Sequence, residues 1–439
     1  MSKLIFCSLF AIFLTCMTVN GTDFYLLKIN DEFSAGIAKS IVPNAHGMVD
    51  NKFIVSLSPD QEQRLKAANV SLELLSKDCN IDRTYMLEGR HSRRSRTALE
   101  LNPIYSTDNM YIIEMPEDSK DILIREGYMV FRLADMETPI FYSPVIYANP
   151  PFDDYPGDTL ADLVIQDSLY SYDARLEAFY TRFTPTDSCV AARSWLFNKF
   201  LSFGYSNVRL HAFQANNENQ NVYNAPAWNV VCKKIGTEKP DTWIIIGGHY
   251  DSYIFECNDN PLANASGADD DATGTATTLE LARIFKNYPS RKSFMFVPFG
   301  AEEQFLIGSD SLAFKLYQDS VHVEFVLNTD MIAYFEGGEP TVQAMTSGIP
   351  YYEVFLAAAE RLTDLIPLRG PIAAWDARPF VNYGACGITL HEKLTNPFVH
   401  TSGDIITALD FEYMTKVVRT AAATLAVIDA SVDPVVCEL

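Results

Sequence analysis

From residue 243 to 251 the chain reads Trp-Ile-Ile-Ile-Gly-Gly-His-Tyr-Asp, an apolar run that stops on two glycines and then presents an imidazole and a carboxylate. A few isoleucines closed by glycine fit a strand covered on both faces, as in the parallel sheets of α/β proteins. His249 then falls beyond the strand's carboxyl end, where open α/β sheets hold their ligands. Asp251 follows two residues later, and on an extended chain the two side chains share a face, so the carboxylate can orient the imidazole. Taken alone, the motif has an ordinary alternative, a structural histidine at a strand end.

The same pattern recurs twice. Residues 294–299 run into Gly300-Ala301-Glu302-Glu303, and residues 325–327 run into Asn328-Thr329-Asp330. Helical patterns over 175–183, 190–200, 272–287, 308–317, 351–362 and 411–428 alternate with strand patterns at 229–235, 243–246, 293–299 and 323–327. Such alternation requires crossover helices, hence an α/β domain with a mixed, mainly parallel central sheet and helices on both faces. Two loops, Gly267-Ala268-Asp269-Asp270-Asp271 and Val399-His400-Thr401-Ser402-Gly403-Asp404, can lean over the edge where the three strands end. Imidazoles and carboxylates gathered at one edge are what a pair of zinc ions requires.

Each piece also has a plainer reading. Glu302 and Glu303 suit the first turn of a helix, where the dipole favours acidic side chains. Asp269, Asp271, Gly274 and Glu280 fall at positions 1, 3, 6 and 12 of a calcium-binding EF-hand loop, but Thr273 stands where Asp or Asn is expected. An EF-hand also needs a helix before its loop, and here Asn258, Pro261, Asn264 and Gly267 precede it. His400 can cap a turn. His46, His91, His211, His322 and His391 stand outside these stretches and read as structural.

A chain of 439 residues accommodates a principal domain and a smaller one, and 48% hydrophobic residues are enough for a large core. A net charge of -22 argues against nucleic acid or an anionic membrane surface as partner, since phosphate binding needs clustered Lys and Arg. Residues 1–21 read as a secretory signal: Lys3, then an apolar stretch too short to span a bilayer. Export without a membrane span is therefore expected. Of eight cysteines, Cys7 and Cys16 leave with the signal; the remaining six suggest disulfides, in any of 15 pairings. Asn69-Val70-Ser71 and Asn264-Ala265-Ser266 are glycan sequons in a eukaryotic secretory route.

Residues 22–135 form a smaller α+β domain with an internal repeat. A strand pattern at 53–55, a helical one at 60–68 and an apolar stretch at 70–75 are echoed at 111–113, 118–125 and 128–133, with Pro59 and Pro116 near the helix starts. Two strand-helix-strand units suggest a ferredoxin-like fold. The basic run Arg90-His91-Ser92-Arg93-Arg94-Ser95-Arg96 reads as an exposed loop or, more sharply, as a processing site in a removable pro-domain. Residues 136–159, rich in proline and aromatic residues, are the linker, and 160–439 the principal domain.

From about residue 160 to the C-terminus the chain closely resembles the di-zinc aminopeptidase family typified by the secreted bacterial leucyl aminopeptidase. The resemblance rests on Phe179-Tyr180-Thr181-Arg182-Phe183, Gly247-Gly248-His249-Tyr250-Asp251-Ser252, Gly267-Ala268-Asp269-Asp270-Asp271-Ala272-Thr273-Gly274, Gly300-Ala301-Glu302-Glu303, Asp330-Met331 and His400-Thr401. It implies the zinc-exopeptidase fold, two Zn2+ per chain, and peptides with a free N-terminus as substrates, cleaved by a monomer. It makes Asp270 the carboxylate bridging both ions, His249 and Asp330 ligands of one, and Glu303 and His400 ligands of the other. Glu302 becomes the general base and Asp251 the partner of His249. The chain departs from the family at Trp375-Asp376-Ala377-Arg378-Pro379-Phe380, where many members have Ser-Asp-His before the Pro-Phe pair, which leaves side-chain preference open. Three rival readings use the same fold: a carboxypeptidase, a glutaminyl cyclase with a single zinc, and a binding protein that has lost its site. The presence of all five ligand positions favours two metals and hydrolysis over the last two.

Overall fold

Eight strands alternate with the helices of the principal domain in the computed structural model: β1 (Val208–Ala215), β2 (Ala225–Lys234), β3 (Lys239–His249), β4 (Lys292–Phe299), β5 (His322–Thr329), β6 (Thr341–Thr346), β7 (Ile366–Pro371) and β8 (Cys386–Glu392). They form one sheet in the order β1-β2-β4-β3-β5-β8-β6-β7. The four central strands β4, β3, β5 and β8 are parallel, whereas β1, β2 and β4 pair antiparallel, as do β8 and β6. The central strands therefore finish at one edge of the sheet, on Phe299, His249, Thr329 and Glu392. The structure describes residues 22–139 with interruptions, the longest at 90–100, and then 157–215, 224–254, 264–347, 349–371, 375–393 and 396–431. The signal, the basic run and most of the linker lie outside the described residues.

Side-chain alternation divides the core in two. Ile244, Ile246, Phe294, Phe296, Phe325, Leu327, Ile388 and Leu390 face a large cluster. It is completed by α1 (Gln166–Glu177), α2 (Asp187–Ser202), α3 (Thr273–Phe285), α4 (Ile349–Leu362) and α5 (Phe411–Ala430). Ile245, Met295, Val297, Phe299 and Val326 face the opposite way, onto Leu312, Ala313 and Leu316 of the helix Ile307–Gln318 and onto Phe380. Both faces of β3 are thus covered, as its unbroken apolar run requires. Each large apolar side chain fully removed from water there contributes about 1.5–3 kcal/mol.

Three differences from the sequence reading stand out. The helical pattern at 175–183 ends early, because α1 stops at Glu177 and Tyr180 adopts φ 63. Beyond it Thr181 bridges to Ala265, and the segment serves as an anchor rather than a helix. Strands β1, β6, β7 and β8 have short, mixed patterns that periodicity passes over. The strands of the N-terminal repeat are present, the helical pattern at 118–125 lies mostly outside the described residues, and the strands do not form one ferredoxin-like sheet. Lys52–Leu57 and Ser71–Cys79 flank Thr22–Lys28 in one antiparallel sheet; Met110–Glu114 and Tyr128–Arg132 flank Thr84–Gly89 in another. The leading strand of each copy supplies the centre of its own sheet, and the pattern-based repeat omitted both. Cys79, Cys189 and Cys232 are free and buried, while Cys386 is disulfide-bonded.

Candidate metal centre

The edge where β3, β4 and β5 end is built by backbone contacts that the sequence places within reach. Gly274, in the first turn of α3, lies against β5: a Cβ there would sit 2.1 Å from the Thr329 carbonyl oxygen and 2.3 Å from Asp271 Oδ2. Only glycine lets the 268–272 segment close over the strand end. Asp271 locks it down, accepting N–H groups from His249 at 2.9 Å and Gly274 at 2.7 Å. The peptide bond between Asp270 and Asp271 is cis. From the other side the fully buried Arg182 donates to the carbonyls of Tyr250 at 2.7 Å, Gly267 at 2.7 Å and Ser266. One guanidinium thereby joins the loop after β3 to the loop before Asp270, which explains why the Phe-Tyr-Thr-Arg-Phe segment is not helical.

The structure brings His249, Asp270 and Asp330 into one group and Asp270, Glu303 and His400 into a second, with ligand atoms in each within 4.8 Å of one another. His249 Nε2 lies 3.1 Å from Asp270 Oδ1 and 3.6 Å from Asp330 Oδ2. His400 Nε2 lies 3.0 Å from Asp270 Oδ2 and 3.1 Å from Glu303 Oε2. The two oxygens of Asp270 thus face different histidines. Glu302 Oε2 stands 3.7 Å from His249 Nε2, beside the first group.

Asp251 lies beside His249 and also has a role its spacing does not imply. The strand ends at His249, so Asp251 is not held on the same extended face. Its carboxylate is 3.7 Å from His249 Nδ1, which instead lies 3.1 Å from the Asp251 main-chain oxygen. The carboxylate accepts the N–H groups of Glu302 at 3.1 Å and Glu303 at 3.2 Å. Asp251 therefore fixes the turn that carries both glutamates, next to Ala301 at φ 57.

Electrostatics favour a cation at this place. Burial disfavours charge on His400, yet Glu303 and Asp270 raise it to about 10. Burial works the same way on His249, and Glu302, Asp270 and Asp330 still raise it well above the ordinary range. Asp270 is held well below its usual value by His400 and His249 in spite of its burial. Burial pushes Asp251 up to about 6. His249 Nε2 is buried with no hydrogen-bond partner of good geometry, although carboxylate oxygens lie on several sides of it. An imidazole nitrogen and oxygens converging without hydrogen bonding fit a zinc ion, whose ligands are His nitrogen and carboxylate oxygen.

Sequence patterns included Asp271, Arg182 and Asp404 without the bracing role they have at this edge, and missed Asn396 and Glu392 altogether. For Asp271 and Asp404 the available signal was adjacency to candidate ligands; Asn396 and Glu392 gave none. No pairing among the described residues follows the EF-hand reading, because Asp269 and Asp271 point into hydrogen bonds with Ala333, Asn396, His249 and Gly274.

Residues 229–425 match the model of Peptidase family M28. This domain is similar to peptidase family M28. A probable zinc metalloprotease of Pyrenophora tritici-repentis is 29% identical over 335 residues, covering 62% of this chain and 76% of that protein. Among solved structures, the Legionella pneumophila LapA aminopeptidase has the same fold, with a TM-score of 0.60 and 16% identity over 80% of this chain and 99% of its own. The glutaminyl cyclase of Fimbriiglobus ruber shares the fold as well, with a TM-score of 0.53 and 17% identity over 64% of this chain and 98% of its own. These matches support a metallopeptidase, on a fold shared with a glutaminyl cyclase.

Proposed function

We propose that the protein is a secreted aminopeptidase that holds two zinc ions and removes N-terminal residues from peptides. The observation that carries the reading is the sharing of Asp270 between two three-residue ligand groups. His249 and Asp330 complete one group, Glu303 and His400 the other. Zinc bound in such a pair supplies a water acidified to a pKa of about 7 and polarises the scissile carbonyl. Glu302, 1% exposed and beside His249, accepts the proton of the attacking water and returns it to the departing amine. Asp251 keeps Glu302 and Glu303 in register through their N–H groups. Both groups having a full set of ligands supports hydrolysis over the single-zinc cyclase reading.

Export rests on the signal-like residues 1–21, and the exposure of both sequon asparagines, Asn69 and Asn264, accords with glycosylation. Residues 22–135 then form a leader domain that is removed on activation; full activity in mature protein that keeps the leader would argue otherwise. Among the described residues no helix is long and apolar enough to cross a membrane. The test of the substrate end is a short peptide with a free N-terminus beside its N-acetylated twin. Loss of the first residue from the free peptide alone is expected, and C-terminal trimming of both identifies a carboxypeptidase.

A further inference from the structure

The segment carrying Asp270 is held by side chains that belong to neither ligand group. Asp404 accepts the N–H groups of Asp269 at 2.9 Å and Asp270 at 3.1 Å. The Asp269 carboxylate turns the other way and accepts from Ala333 N–H at 3.3 Å and from the Asn396 side-chain amide at 3.0 Å. That same amide nitrogen lies 3.4 Å from Asp404 Oδ1, so its two hydrogens serve two carboxylates. The Asn396 backbone N–H donates to Glu392 at 2.8 Å, and the other Glu392 oxygen accepts Tyr334 N–H at 2.7 Å. Asn396 Oδ1 accepts the N–H of Phe398 at 2.9 Å, at the start of the turn that presents His400. Asp269, Glu392 and Asn396 are fully buried and Asp404 is 1% exposed.

Through Asp269, Asp404 and Glu392, Asn396 thus links three stretches of backbone: 269–270, which carries Asp270; 333–334, just after Asp330; and 396–404, which carries His400. Building on the two-zinc reading above, we propose that Asn396 is a positioning residue for the metal pair, tying the Asp270 segment to the loops of Asp330 and His400 and so setting the geometry of both ligand groups. Its donor chemistry is specific. An alanine leaves two buried carboxylates short of a donor, and an aspartate adds a further acceptor facing them.

The test is calorimetric titration of zinc into metal-free full-length protein, comparing wild type with Asn396→Ala and Asn396→Ser, the latter keeping a single donor. Supporting groups of this kind affect metal affinity by roughly 10- to 100-fold. Asn396→Ala is expected to weaken zinc binding by that factor, Asn396→Ser by less, with kcat falling in parallel and KM changing less than about twofold. Should Asn396→Ala fail to fold, weakened zinc binding by Asn396→Ser supports the proposal in its place. Zinc affinities within twofold of wild type in the variants that fold overturn the proposal, even if the melting temperature of the metal-free protein drops, because that drop alone marks a purely structural role. A wild-type protein that binds fewer than two zinc ions is a separate result, which defeats the two-zinc reading itself.

Discussion

Replacing Asp251 with asparagine removes a single negative oxygen and leaves size unchanged, so its effect can be reckoned from two hydrogen bonds. The carboxylate accepts Glu302 N–H at 3.1 Å on one oxygen and Glu303 N–H at 3.2 Å on the other. An amide keeps one acceptor and turns its NH2 toward the second N–H, losing a charge-assisted bond and leaving a buried donor unpaired. A hydrogen bond to a charged group contributes about 1.5–3 kcal/mol, and an orphaned buried donor costs about 1–3 kcal/mol. Burial raises Asp251 to about 6, so neutralising it recovers part of that cost, and a net loss of about 2–3 kcal/mol follows. If the loss falls on the Glu302–Glu303 turn, kcat/KM drops by roughly 30- to 150-fold at 1.36 kcal/mol per tenfold. Zinc affinity should weaken mainly at the site that uses Glu303. The assay combines hydrolysis of an unblocked peptide with zinc titration of Asp251→Asn. Activity within twofold of wild type, or a zinc loss confined to the His249 site, refutes the assignment of Asp251 to the glutamate turn.

Other consequences are as specific. Glu302→Gln should keep its zinc while turnover falls by roughly 10²- to 10⁴-fold, the usual contribution of a positioned acid–base group; near-wild-type turnover removes Glu302 from that role. Chelation should abolish activity reversibly and lower the melting temperature, since a ligand at 100 times its Kd stabilises by about 2.7 kcal/mol; a chelator-resistant enzyme contradicts the metal assignment. Lys292, fully buried on β4, pairs with Glu324 at 2.6 Å and donates to the Ile428 carbonyl at 2.7 Å. Lys292→Met leaves Glu324 buried without its cation, so denaturant unfolding should show a loss of about 3–5 kcal/mol, and replacing Glu324 by leucine as well should restore much of it. A single-variant loss under about 1 kcal/mol counts against that buried pair.

The central sheet was legible because β3, β4 and β5 are buried on both faces and carry the unbroken apolar runs that this burial demands. The gathering of the candidate site residues at one edge followed from the same fact, since each run stops where His249, Glu302, Glu303 and Asp330 begin. Strands β6, β7 and β8 were illegible for the opposite reason: Cys386–Glu392 mixes glycine, threonine, histidine and glutamate into its apolar positions, and its partners lie far away in sequence. The bracing network was hidden for a similar reason. Asn396 and Glu392 act through backbone N–H groups and through Asp269, more than a hundred residues earlier, and no local period records such a contact. Asp251 shows how far spacing alone can be pushed. Two residues from His249 it shares a face only while the strand lasts, and the strand ends at the histidine itself.

The most direct measurement is the zinc stoichiometry of metal-free protein and its ligand variants. Two equivalents are expected for wild type, one for His249→Ala and for His400→Ala, and weakened binding at both sites for Asp270→Ala. One equivalent in wild type, or two undiminished equivalents in Asp270→Ala, would contradict a carboxylate shared between two ions.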